Sequence, residues 1–145
     1  MVAYSFKKQF GPPILAGTKA QTIRADRKRH ARPGEELQLY TGMRTKHCKL
    51  VARVPCLEVA PIRIELPRAR QVPEVMVFKP DGDLARHILT PRALQNFAQA
   101  DGFRDFDEMH AFWCAEHPGV DTFHGVLIRW KPHTPADALD IGAAA

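Results

Sequence analysis

Between Gly17 and Arg24 the chain reads Gly-Thr-Lys-Ala-Gln-Thr-Ile-Arg, setting a lysine, a threonine hydroxyl and an arginine within six residues. A lysine whose pKa is lowered by burial and neighbouring cations can take the proton of a hydroxyl and make it a nucleophile. Left solvated, the same cations suit a phosphate or a nucleotide-like anion. In a regular strand Thr22 and Arg24 share one face and Ile23 points to the other. Lys19 lies three residues from Thr22, so an extended chain puts it on the opposite face unless the Gly17-Thr18 turn rotates it back. Spacing alone leaves both readings open: working partners, or a solvated charge beside a β-forming residue.

A basic run follows at once, Arg27-Lys28-Arg29-His30-Ala31-Arg32, and Arg44, Lys46 and Lys49 continue it. Residues 1–53 carry 12 Lys/Arg against three acids, and residues 54–145 carry 9 against 13, so a formal charge of about +9 faces one of about −4. This polarity predicts a basic surface aimed at phosphate, where released counterions favour binding. Arg27, Lys28, Arg29, Arg32 and Lys49 are the expected nucleic-acid contacts, the alternative being a solubilising loop. Arg24, Arg44 and Lys46 are expected to hold the substrate, and Tyr40 to stack on a base. Tyr40 and Phe6 serve equally well as core aromatics. His110, Cys114 and His117 share a helical face, with His124 as a fourth zinc donor. They stand beside the apolar stripe Met109-Phe112-Trp113, which favours a buried thiol, and neither a metal nor a cofactor is expected.

The elements that must position these groups are short. Val2–Phe6, Ala20–Arg24, Glu36–Tyr40, Leu50–Val54, Ile62–Leu66, Glu74–Phe78 and Phe123–Trp130 read as strands from alternation and β-branched content. Pro12-Pro13 starts a helical turn that Gly17 ends. Thr90-Pro91 starts a helix that Gly102 stops, and Asp105 with Glu108 has capping-box spacing for a second. Pro33-Gly34 and Pro80-Asp81-Gly82 read as turns. Many short strands with few helices predict a small α+β, barrel-like domain, over residues 1–131 with a mobile tail over 132–145. With 145 residues, one core is expected. Three cysteines without CxxC spacing point to a reducing compartment. No apolar run at the start reads as a secretory signal or is long enough to span a bilayer, so a cytoplasmic protein is expected.

The run Ile14–Arg24, with Pro33-Gly34 and Leu37-Gln38-Leu39, resembles the signature of the ASCH (activating signal cointegrator homology) domain. The likeness continues through Leu39–Lys46, Ala100-Asp101-Gly102-Phe103, Phe112-Trp113 and Gly125–Trp130. It spans residues 3–131, with no recognised motif in 55–90. The resemblance implies a PUA-like β-barrel flanked by short helices, associated with RNA. Small bacterial members are amidohydrolases that remove the acetyl group of N4-acetylcytidine with a lysine, a threonine and a glutamate. By motif position the lysine falls on Lys19 and the threonine on Thr22. The glutamate falls on Asp101, a departure that shortens the carboxylate's reach by one methylene. Other members resemble RNA-binding modules or ribonucleases. The partner implied is RNA or a modified nucleoside.

Overall fold

The computed structural model describes residues 1–66 and 73–134. The chain begins with β1 (Val2–Phe6), whose alternation turns Val2, Tyr4 and Phe6 inward. One 3₁₀ turn (Lys8–Phe10) leads into α1 (Gly11–Ala16). Its two prolines sit in the first turn, where no intrahelical N–H is needed. Then come β2 (Gln21–Arg24), β3 (Glu36–Thr41), β4 (Lys49–Glu65), β5 (Glu74–Phe78) and β6 (Leu84–Ile88). Two helices follow, α2 (Pro91–Ala100) and α3 (Phe106–Glu116), before β7 (Thr122–Trp130) closes the described fold. Thr90 Oγ1 caps α2 by accepting from the Ala93 N–H, and Asp105 Oδ1 caps α3 by accepting from the Glu108 N–H.

The seven strands make one mixed sheet, and the protein is α+β. β1 runs parallel to β3, and every other pairing is antiparallel. The order β2-β7-β4-β3-β1 wraps around the core, and β5-β6 branch from the second half of β4. The expected closed barrel is not formed. β1 and β2 end the path, and no ladder joins them among the described residues. Trp130, Tyr4, Ile14, Leu37, Leu39 and Ile62 fill the interior with almost no exposure, and Phe6 meets Trp130 edge-on.

Three further expectations are revised. Leu50–Val54 and Ile62–Leu66 are not separate strands but parts of one 17-residue strand, β4. A register shift between Cys56 and Glu58 bends it, so the first half pairs with β3 and the second with β7 and β5. β6 was not expected, because Leu84-Ala85-Arg86-His87-Ile88 lacks alternation. It is a largely exposed edge strand, tied inward where Arg86 forks onto the Glu58 carboxylate at 2.6 and 3.3 Å. The packed unit also runs past residue 131. His133 is buried, and its Nδ1 bonds the Leu15 carbonyl at 2.9 Å. Residues 135–145 of the expected tail lie outside the described residues.

This docking explains Gly17. Its φ is +82°, and a Cβ there would lie 2.7 Å from the His133 carbonyl oxygen. Gly34 has a comparable φ of +90° with open space around it. Gly34→Ala is expected to cost only the left-handed penalty, about 1–2 kcal/mol. Gly17→Ala adds a backbone clash and should lower the urea midpoint clearly further. Equal losses would show that the 131–134 segment does not pack on Gly17.

Candidate functional site

Where the sheet fails to close, the edges of β1 and β2 face one another across a cavity of about 190 Å³. Ser5 and Phe6 come from β1, Thr22 and Arg24 from β2, Lys19 from the turn before β2, and Asp101 from the end of α2. The apolar wall is aromatic. Phe10, Phe103 and Phe112 pack mutually with ring centroids 5.2–5.7 Å apart, and Trp113 stands beside them. The Trp113 indole N–H is buried without an acceptor among the described residues.

Lys19 is 3% exposed. Gly17 takes a left-handed conformation, and the lysine turns inward beneath the last turn of α2. Its Nζ donates to the Asp101 carbonyl at 2.6 Å and to the Gln21 carbonyl at 2.8 Å. The Asp101 carboxylate Oδ1 lies 4.0 Å from it. The Ala20 N–H donates to the Ala100 carbonyl beside it, at 2.9 Å. A helix C-terminus leaves carbonyls unpaired and carries partial negative charge, so an ammonium there is doubly matched. The rings of Phe10 and Phe6 lie 4.8 and 5.4 Å from Nζ. Burial nevertheless dominates and pulls the Lys19 pKa down to about 8, with Asp101 raising it and Arg24 lowering it further. Asp101 is pushed up to about 6 by burial, against the opposing pull of Lys19, the Gln21 hydrogen bond and Arg24.

Thr22 and Arg24 share a face, as the strand period requires. Arg24 Nε donates to Thr22 Oγ1 at 3.0 Å, and its NH2 group donates to the Ser5 carbonyl at 2.6 Å. Arg24 thereby bridges the open seam in place of a backbone ladder. Its guanidinium lies 4.7 Å from the Phe6 ring centroid. Burial, then the charge of Arg27, push Arg24 below its ordinary value. No hydrogen bond joins Lys19 Nζ to Thr22 Oγ1: both line the cavity, each held by other partners.

The remaining predicted residues lie elsewhere. Arg27 covers the Tyr4 ring at 4.6 Å, and Arg29 pairs with Glu35 at 2.9 Å. Tyr4 accepts from the Ala31 N–H and bonds His30 Nδ1, so the basic loop is anchored to the core. Lys28 and Arg32 are exposed. Tyr40 lies on the outer face of β3, its hydroxyl donating to Gln38 Oε1, and does not line the cavity. Arg44 and Lys46 belong to the exposed β3–β4 connection and Lys49 opens β4, also exposed; none of the three lines the cavity. His117 stacks on Trp113 and bonds its carbonyl, and among the described residues no cluster of His, Cys, Asp or Glu could hold a metal.

Two contributors were not singled out from the sequence. Gln21 is buried, and its Nε2 donates to Asp101 Oδ1 at 3.3 Å, fixing the carboxylate against Lys19. Gly102 was read only as a helix stop. Its φ is +97°, and a Cβ would lie 2.8 Å from Lys19 Cδ and 3.1 Å from the Phe10 ring. Its lack of a side chain makes room for the lysine stem. A polar residue next to a predicted strand threonine was the available signal for Gln21; nothing local marked Gly102's second role.

The linkage signs of the pair are opposite to those of ordinary surface ion pairs. Lys19, lowered to about 8, is penalised when charged, so its contribution to stability improves as pH rises from about 8 through the unfolded value. Asp101, raised to about 6, favours the fold at low pH, and that contribution is lost as pH rises through about 6. Asp101→Ala removes the charge that sustains the Lys19 ammonium. It should cost up to about 3–5 kcal/mol near neutrality in denaturant unfolding, with the deficit shrinking in alkali as Lys19 becomes neutral. The double variant Lys19→Met/Asp101→Ala should recover most of the loss; no recovery would mean that the two charges are not coupled. Comparison of the chain with protein-family models, curated proteins and solved structures found no match.

Proposed function

We propose that the protein is an ASCH-like, PUA-like amidohydrolase that removes the acetyl group of N4-acetylcytidine. The observation that carries this reading is the meeting of Lys19, Thr22, Arg24 and Asp101 in one small, aromatic-walled cavity. Aromatic rings suit the flat face of a pyrimidine.

Thr22 Oγ1 attacks the acetyl carbonyl carbon. Neutral Lys19 keeps two N–H donors for the two carbonyls it already bonds and offers its lone pair to the hydroxyl proton. The Arg24 guanidinium, already donating to Thr22 Oγ1, stabilises the negative charge that develops. The C–N bond breaks, Lys19 returns the proton to the N4 nitrogen, and cytidine leaves an acetyl ester on Thr22. Water, deprotonated by Lys19, then cleaves that ester to acetate and restores the hydroxyl. Asp101 holds Lys19 in place, helped by Gln21, and does not itself touch the acetyl group. The anchoring of the basic loop through Arg27, Arg29 and Tyr4 counts for a small ligand over a non-catalytic RNA module, because two of its arginines already have protein partners.

Incubation with N4-acetylcytidine should release cytidine and acetate, followed by chromatography. Lys19→Ala and Thr22→Ala should each lower kcat/KM by about 10²–10⁴-fold, the range for losing a base or the nucleophile it serves. The wild-type rate should rise with pH and level off above an apparent pKa of about 8, as Lys19 loses its proton. Absence of turnover, or turnover indifferent to both substitutions, rules the mechanism out.

A further inference from the structure

A second concavity shares part of its wall with the first. It measures about 720 Å³ and shares Ser5, Phe6 and Lys7 with the smaller cavity. The end of β3 at Thr41 and the β3–β4 connection through Gly42, Met43 and Thr45 also line it. Three lysines, Lys7, Lys8 and Lys49, line it together with His47, and no carboxylate does. Lys7 stands at the junction, paired with Glu116 and 5.3 Å from the Phe112 ring centroid. Lys8 and Lys49 are exposed, and no ion pair engages them among the described residues.

The two volumes divide the work. A dry cavity of about 150 Å³ accepts benzene, so 190 Å³ takes one substituted ring and little more. A base in the cavity must leave its ribose and anything attached to it in the larger cleft. We propose that this cleft is a phosphate subsite, and that the ligand is a phosphorylated nucleoside, with Lys8 and Lys49 contacting the phosphate. This rests on the nucleobase reading of the inner cavity. The phosphate is carried either by a mononucleotide or by an RNA strand, and the chemistry recognised is the same. Glu116 neutralises Lys7 alone, so Lys8 and Lys49 keep the cleft positive, and association with a phosphate ester is favoured and salt-sensitive.

Titration calorimetry with cytidine, cytidine 5′-monophosphate, cytidine 3′-monophosphate and a short cytidine-containing oligoribonucleotide tests this without requiring turnover. At least one phosphate ester should bind about tenfold or more tightly than cytidine, and the advantage should fall as salt is raised. A monophosphate matching the oligoribonucleotide identifies a nucleotide ligand; a tighter oligoribonucleotide identifies a strand. In Lys8→Ala/Lys49→Ala the advantage should disappear, whereas Arg92→Ala, an exposed charge removed on α2, should keep it. Equal binding of cytidine and its phosphates overturns the proposal, as does an advantage that survives loss of both lysines. Inorganic pyrophosphate, followed by amide shifts in residues 41–49, separates the two readings. Shifts there without binding of any cytidine compound keep the phosphate subsite and reject the nucleobase cavity. Cytidine binding without such shifts does the reverse.

Discussion

A buried ammonium needs its hydrogen bonds met inside the protein, and the site is organised around how those of Lys19 are met. The turn after α2 satisfies the Ala98 and Gln99 carbonyls, and Lys19 supplies the Asp101 carbonyl with a charged donor. Ala20 ties the same turn to both neighbours, donating to the Ala100 carbonyl and accepting from the Trp130 N–H. Helix α2, the turn before β2 and strand β7 are therefore joined through two consecutive residues. Gly102 then becomes obligatory, since the chain must leave the helix in a left-handed conformation with the lysine stem packed against it.

The charges around this lysine act in opposition. Burial and Arg24 draw its pKa down while Asp101 holds it up, and Asp101 is itself raised by burial. With Lys19 about 8 and Asp101 about 6, both are charged between those values, and above about 8 Arg24 is the cation left beside the Asp101 carboxylate. The arginine is also structural: its bonds to Ser5 and Thr22 span the seam and orient the hydroxyl. Removing it would widen the site as well as change its charge.

Much of this was readable in the residues. Gly17, Thr90-Pro91 and Asp105 act locally, through backbone freedom and caps, and the elements they bound lie where composition puts them. Alternation gave the shared face of Thr22 and Arg24. Pro55 and Pro61 hid the continuity of β4, because proline suggests a break, whereas here the strand bends at a register shift and continues. β6 escaped notice because its order comes from the Arg86–Glu58 fork, a contact 28 residues apart. Asp101 illustrates the deeper limit. Its main-chain carbonyl makes the shorter bond to Lys19, and a carbonyl carries no signature of residue type. The basic run was legible as charge, but its pairing with Glu35 and packing on Tyr4 are tertiary facts.

The unclosed seam has a mechanical consequence. Its two walls, residues 5–7 and 19–24, are close in sequence and joined by one 3₁₀ turn and one short helix, so an occupant would bridge two parts of one short stretch of chain. An occupant lying between β1 and β2 supplies contacts that a backbone ladder supplies elsewhere around the sheet. It thus acts as the last stave of the wrapped wall, and its binding energy adds directly to the resistance of that wall to opening.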